Sequence, residues 1–251
     1  MLVMGILNVT PDSFADGGKH NDFESAVARG LEMISEGVDI IDIGGESTRP
    51  GADRVSEEEE IARTIPVITE LAKHGVKISI DTMRASTAKA AIDAGASIIN
   101  DVSGGLADPL MLQTAAALKV PYIAMHWRGQ SKDMNSKAIY GDVVSDVISE
   151  LQERVDAALD AGITAENLII DPGLGFAKDA DHNWAIIDAI DQFVALGYPV
   201  LVGASRKRFL GGDTPDEREQ ATIDLTKRLA PTGVWAVRVH SVKPHKEVLA
   251  V

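Results

Sequence analysis

The sequence predicts an α/β protein: a closed (β/α)8 TIM barrel in one domain spanning 1–251. Three observations carry this. Short apolar runs alternate with amphipathic or Ala-rich segments from end to end. Eight such runs can be counted in the 251 residues, and about 250 residues suit eight strand–helix units. No low-complexity linker or break in composition divides the chain. A doubly wound sheet is the alternative, which eight regular units disfavour.

In order, the predicted strands are 2–7, 38–44, 76–81, 97–101, 120–126, 167–171, 198–203 and 234–240. The intervening helices are expected at 22–36, 56–74, 84–95, 107–118, 139–162, 181–197 and 216–230, with a short last segment after Ser241. Ser56, followed by Glu57, Glu58 and Glu59, reads as a capping box with acids in the first turn. Gly37, Gly75, Gly95 and Gly162 stand where helices should stop.

Composition excludes several function classes. The chain is 45% hydrophobic and 25% charged, with a formal net charge of -14. So acidic a protein is a poor partner for nucleic acid or an anionic membrane, and an anionic substrate would need local basic residues. With no cysteine, disulfides, thiolate catalysis and Cys-based zinc sites are ruled out, which fits a reducing cytoplasm. The apolar start MLVMGILNV lacks a basic leader and reads as a buried strand rather than a signal peptide. No apolar run is long enough to suggest a membrane span.

In a barrel the chemistry sits at the C-terminal ends of the strands. Strand 1 ends at Asn8, strand 3 at Asp81, strand 4 at Asn100 and Asp101, strand 5 at His126 and strand 6 at Asp171. Strand 2 runs into GGESTRPG, strand 7 into GASRK, and strand 8 ends with Arg238 and His240. One Asp or Asn at a strand end commonly caps the next helix; polar groups at nearly every strand end point to a site. Arg238 and His240 are two apart, so both face one side and can clamp an anion; a salt bridge plus a core histidine is the plainer alternative. Ser205, Arg206, Lys207 and Arg208 follow Gly203 and Ala204, whose small size permits close backbone approach to a ligand.

The acids have three possible uses. They can serve as a general acid and base, they can bind Mg2+, or they can accept paired N–H bonds from the guanidine-like edge of a heterocycle, with Asn100 serving the rest of the ring. The third explains DPGLGFAK (171–178). It resembles a phosphate loop but opens on an anion and lacks the third glycine and the ribose-binding acid of a dinucleotide fingerprint. Met125 is expected as a pocket wall, His126 and His182 as structural, and His20, His74 and His245 as surface residues. No histidine pair has zinc spacing and no nucleophile elbow is present.

Eight blocks in order, MGILNVTPDSFADGG (4–18), IDIGGESTRPGA (41–52), SIDT (79–82), INDVSGG (99–105), MHWRG (125–129), DPGLGFAK (171–178), LVGASRK (201–207) and RVH (238–240), resemble the dihydropteroate synthase family over essentially the whole chain. The resemblance implies a homodimeric barrel that joins 4-aminobenzoate to dihydropterin-methyl pyrophosphate. It implies Asp81, Asn100, Met125, Asp171, Gly203 and Lys207 as the pterin pocket. Asn8, Thr48, Arg49, Arg238 and His240 would hold pyrophosphate, with Asn8 on Mg2+. Phe14, Thr48, Pro50, Phe176, Lys207 and Arg208 would form the aminobenzoate site, and Asp16, Lys207, Arg238 and His240 would be catalytic. Loops 9–20 and 46–55 are expected to be mobile without ligand. Three departures stand out: Arg208 where many members carry Ser, Ser241 where Asp is usual, and a polar 213–232 segment whose Asp224 and Pro231 are expected to perturb packing or reshape a dimer surface. Ser241 is expected to cap the last helix as Asp would. A non-catalytic pterin-binding paralogue and a pterin-dependent methyltransferase domain are the competing readings.

Overall fold

A computed structural model of the chain describes residues 1–10, 19–47, 54–130 and 134–250. In chain order it comprises β1 (Leu2–Asn8), α1 (Lys19–Ser35), β2 (Ile40–Gly44), α2 (Glu57–Ala72), β3 (Lys77–Asp81), α3 (Ala85–Asp93), β4 (Ile98–Asp101), α4 (Met111–Leu118), β5 (Tyr122–Met125), α5 (Val143–Asp160), β6 (Leu168–Asp171), α6 (Ala180–Asp188), α7 (Ile190–Val194), β7 (Leu201–Val202), α8 (Glu219–Leu229), β8 (Ala236–Val239) and α9 (Val242–Leu249). The strands pair in parallel in the order β6-β5-β4-β3-β2-β1-β8-β7. The single bridge Ile170↔Val200 joins the two ends. The barrel is therefore nearly closed, with a thin seam between β6 and β7.

Strand periodicity of two divides the core. Met4, Ile40, Ile98, Ile123, Ile169, Leu201 and Ala236 cluster inside the barrel floor. Alternate residues such as Val3, Leu7, Ile41, Ile43, Ile78 and Ile80 pack outward with Leu71, Leu151 and Leu225 of the helices. Each fully buried Leu or Ile contributes about 1.5–3 kcal/mol. Two residues beyond the floor on several strands, the inward positions turn polar: Asp42 follows Ile40, Asn100 follows Ile98, Asp171 follows Ile169, and Arg238 follows Ala236. The same alternation that fills the floor delivers the polar rim.

Several expected boundaries move. The last two strands are shorter than expected, and mostly at their N-terminal ends. The predicted helix 181–197 is two helices, broken at Ala189. Ser56 does cap α2, accepting from Glu59 N at 3.2 Å. A reciprocal box forms at α6 instead, where Asp179 accepts from His182 N and the His182 ring accepts from Asp179 N.

The polar segment after Gly212 packs regularly, against the expected perturbation. Thr222, Leu225, Thr226 and Leu229 face inward, while Asp224 is exposed and accepts from Gln220 at 2.9 Å. Pro231 is exposed in a 3-10 turn. His245 is fully buried, not a surface residue. It faces inward from α9, and Thr226 Oγ1 lies 2.8 Å from its Nδ1. Its burial pushes its pKa down. Ser241 makes no capping bond; its hydroxyl accepts from Arg206 Nη2 at 2.8 Å. The hydroxyl is engaged instead by Arg206 from the loop after the adjacent β7.

Candidate active site

One cation organises the barrel mouth. Arg238 Nε donates to Asp42 Oδ2 at 2.6 Å, and its Nη2 donates to Asp81 Oδ2 at 2.7 Å. Asn100 Nδ2 donates to the same Asp42 oxygen at 3.1 Å. Register aligns these groups: Asp42 is level with Ser79, Asp81 with Asn100, and Met125 with Asp171. Two of the five guanidinium N–H groups are used by these carboxylates, so the fork keeps donors for another anion. Asp42 is not legible from strand ends, because it lies inside β2. Its signal was an acid inside an apolar run, in phase with Ile40 and two residues short of the strand end.

The mouth is electrostatically unbalanced. Burial pushes the Asp81 carboxyl up to about 7, with Arg238 opposing and Asp42 adding to the rise. Burial also raises Asp171, against the Gly173 N–H and Lys207. Burial opposes the Arg238 charge, yet Asp42 and Asp81 outweigh it and hold the guanidinium firmly protonated. Asp42 Oδ1 and Ser79 Oγ are buried without a hydrogen-bond partner among the described residues. Buried polar atoms are rarely left so, and in a mouth they are places for a ligand's or a water's polar atoms.

The DPGLGFAK loop packs beside this cluster. Asp171 Oδ1 accepts from Gly173 N at 2.7 Å. Gly173 has φ +67, and a Cβ there would drive into the His126 carbonyl oxygen, so only glycine fits. Lys207 donates to Leu174 O, and its Nζ lies 4.8 Å from the Phe176 ring centre. Burial lowers Lys207 to about 8, with Asp171 resisting. Gly203 leaves room here: a Cβ on it would stand 3.8 Å from Asp171 Oδ2. Met125 joins Met83, Val102, Trp127 and Phe176 in an apolar rim cluster. Met83 and Val102 had no distinguishing sequence signal, lying in loops just after polar strand ends.

The SRKR cations separate. Arg206 takes φ +58 and turns to α8 and Ser241, with Nε donating to Glu219 at 2.6 Å. The expectation that this basic run faces a ligand therefore fails for Arg206, whose charge is matched by Glu219. Lys207 alone turns to the loop, and Arg208 is exposed at the start of a 3-10 turn. His240 lies just past β8, its Nδ1 2.9 Å from Ser205 Oγ, while its backbone N donates to that oxygen at 3.2 Å. Asn8 is half-buried at the end of β1, level with Gly44. Asp101 points out of the barrel and is structural, accepting from Ser103 N, Gly105 N and Tyr122 Oη. Phe14, Asp16, Thr48, Arg49 and Pro50 lie outside the described residues, as do 11–18 and 48–53 of the two loops expected to be mobile.

A family profile described as "Pterin binding enzyme" matches residues 4–240. The chain belongs to the pterin-binding enzyme family. Within that family, a dihydropteroate synthase from Mycobacterium leprae (strain TN) is 48% identical over 259 residues, covering 99% of this chain and 91% of the relative. The Xanthomonas albilineans dihydropteroate synthase solved with 4-aminobenzoic acid is 43% identical, with a TM-score of 0.93, covering 99% of this chain and 90% of that one. The same organism's enzyme in complex with 7,8-dihydropteroate is 40% identical, with a TM-score of 0.90, covering 99% of this chain and 91% of that one.

Proposed function

We infer that the chain is a transferase that condenses 4-aminobenzoate with 6-hydroxymethyl-7,8-dihydropterin pyrophosphate, giving 7,8-dihydropteroate and pyrophosphate. The observation that carries this reading is the Arg238-centred mouth: buried carboxylates and an amide at one end of the strands, next to the loop that bears Phe176 and to Lys207, which packs against that loop. Its chemistry suits a pterin. The ring's guanidine-like edge donates N–H bonds, and Asp81 and Asp171 accept them. Asn100 can both donate and accept, and Lys207 donates. Burial makes the free carboxylates costly to charge, so a ring that supplies N–H donors is favoured over water alone.

Pyrophosphate leaves from the pterin methylene while the ring delocalises the developing positive charge, a dissociative, carbocation-like displacement. Arg238 and His240 neutralise the leaving group. Ser205 Oγ accepts from the His240 backbone N–H at 3.2 Å and lies 2.9 Å from its Nδ1, which orients the ring. The aniline nitrogen is already neutral, attacks the methylene carbon once positioned, and then releases one N–H proton to solvent. Asp16 is assigned to the developing cation and Thr48, Arg49, Pro50, Phe14 and Arg208 to the two substrates, on the resemblance alone. The described residues contain no group of three or more acidic or histidine ligands that could hold a metal by themselves. On the resemblance, Asn8, whose amide oxygen is a suitable hard ligand, would be the protein contact of a Mg2+ that keeps water and substrate phosphates as its other ligands and would supply charge neutralisation. A homodimer, a single domain over 1–251 and a cytoplasmic location complete the proposal; no described helix is long and apolar enough to cross a membrane.

A pyrophosphate-release assay with Mg2+ and the pterin pyrophosphate, with and without 4-aminobenzoate, tests it. Release dependent on aminobenzoate with matching dihydropteroate is expected. Pterin binding with no product would point to a non-catalytic paralogue. Full turnover by Lys207→Ala would remove the assigned role of that lysine.

A further inference from the structure

DPGLGFAK ends in a lysine, Lys178, that the reaction does not use. Lys178 is buried, and its Nζ faces three acceptors: His126 Nδ1 at 2.8 Å, Gly173 O at 3.1 Å and Phe176 O at 3.1 Å. We propose that Lys178 is a positioning residue of the synthase site: it bolts the 173–176 turn to the end of β5 and thereby sets where Phe176 and Lys207 stand. The inference rests on the functional reading above and adds a residue to it.

The geometry is that of a fastener with a fixed back end. An ammonium has three hydrogens and no lone pair, and here each hydrogen has an acceptor. Two are carbonyls of the turn; the third is a ring nitrogen on the strand that the turn lies against. His126 is held in place in turn, because its Nε2 lies 2.9 Å from Glu150 Oε2 on α5. Accepting at Nδ1 requires the neutral ring to carry its proton on Nε2, which then donates to Glu150. Burial, with the Lys178 charge next, keeps that ring neutral by lowering it to about 4. Arg128 also binds Glu150, with Nε donating at 3.0 Å, and stacks 3.8 Å over the Tyr140 ring. Tyr140 Oη donates to Ala177 O at 2.9 Å, a second tie on the same loop.

What the fastener holds is the wall of the site. The turn's Leu174 carbonyl accepts from Lys207, and its Phe176 ring stands under the Lys207 amine. A Cβ at Gly175 would stand 2.8 Å from Lys207 Cδ, so turn and lysine are in close contact. A displaced turn therefore moves both Phe176 and Lys207 of the aminobenzoate site, and of the pterin pocket only Lys207. Asp171 and Asn100 are fixed by strands and would stay. Burial drives the Lys178 ammonium down to about 7, with Asp171 resisting and Lys207 and Arg128 adding.

The test replaces the amine with an apolar isostere, Lys178→Met. The KM for 4-aminobenzoate should rise about tenfold or more, because small misplacements are costly in an oriented site. Pterin affinity by calorimetry should stay within about threefold. Amide hydrogen exchange at 173–177 should accelerate, with β1–β4 unchanged. Glu150→Gln, at a partly exposed position, is the milder second variant and should move the same KM by about threefold. Nitrogen NMR of the wild type should find His126 as the neutral Nε2–H tautomer. An unchanged aminobenzoate KM in folded Lys178→Met overturns the proposal, as does a parallel rise of both KM values. Should Lys178→Met not fold, an unchanged KM in Glu150→Gln overturns it instead. Wild type without turnover would fell the synthase reading, and unchanged exchange at 173–177 would separately fell the fastener.

Discussion

The cluster around Arg238 and the cluster around Lys178 both bury charge, and they differ in how fully it is matched. Around Lys178 every hydrogen of the amine has an acceptor, and Glu150 is bound by both His126 and Arg128. Around Arg238, Asp42, Asp81 and Asp171 crowd one guanidinium and one lysine. Asp42 Oδ1 and Ser79 Oγ lack partners among the described residues, and two carboxyls are raised by burial. A structural cluster completes its own hydrogen bonds; a binding cluster leaves them for the ligand, at a cost in stability while empty.

Removing the organising cation should have the largest effect. Arg238→Met leaves buried carboxylates uncompensated and should destabilise by about 3 kcal/mol or more, with turnover lost. Urea unfolding alongside the release assay measures both. Wild-type stability would mean that the mouth carboxylates are already neutral in the free protein.

Next comes the ring-reading acid. Asp171→Asn keeps an oxygen for Gly173 N but loses the charge, so pterin affinity should fall by about 2 kcal/mol, roughly thirtyfold, at little cost in stability. Calorimetry decides, and unchanged affinity would move ring recognition to Asp81 and Asn100.

A smaller effect separates Asp81 from Lys178 by the sign of the pH dependence; Lys207, in the Arg238 cluster, is lowered like Lys178 and adds to the rising limb. Asp81 is raised to about 7 from 3.8, so the folded state holds the extra proton and stability drawn from this group falls as pH rises from about 4 to about 7. Lys178 is lowered to about 7 from 10.5, so the unfolded state holds the extra proton and stability rises from pH about 7 to about 10. Asp81→Asn should flatten the first limb and Lys178→Met the second, read from unfolding midpoints across pH. The same limb lost in both variants would join the two clusters into one titrating unit.

The smallest effect lies outside both clusters. Ser241→Ala loses one hydrogen bond from Arg206 and no helix cap, so it should cost about 1 kcal/mol or less and leave turnover unchanged. A loss of turnover would show that the outer face of the barrel communicates with the mouth.

The sequence by itself determined the barrel, because strand and helix periods and glycine stops are local signals, and it determined that polar groups close most strands. Asp81, Asn100 and Asp171 were legible because each ends an apolar run and strand alternation points it inward. Tertiary structure alone decided which charges meet. Asp42 and Arg238 are 196 residues apart and touch because β2 and β8 flank β1. Arg206 and Lys207 are neighbours in the chain, yet one left-handed residue sends them to different partners. His245 looked like a surface residue beside Lys246, and only the packing of α9 against α8 buries it. Lys178 read as part of a glycine loop, and only the closing of β5 against β6 brings His126 to its amine. Periodicity fixes which side of an element a residue faces, while its partner depends on contacts between distant segments that exist only once the barrel has closed.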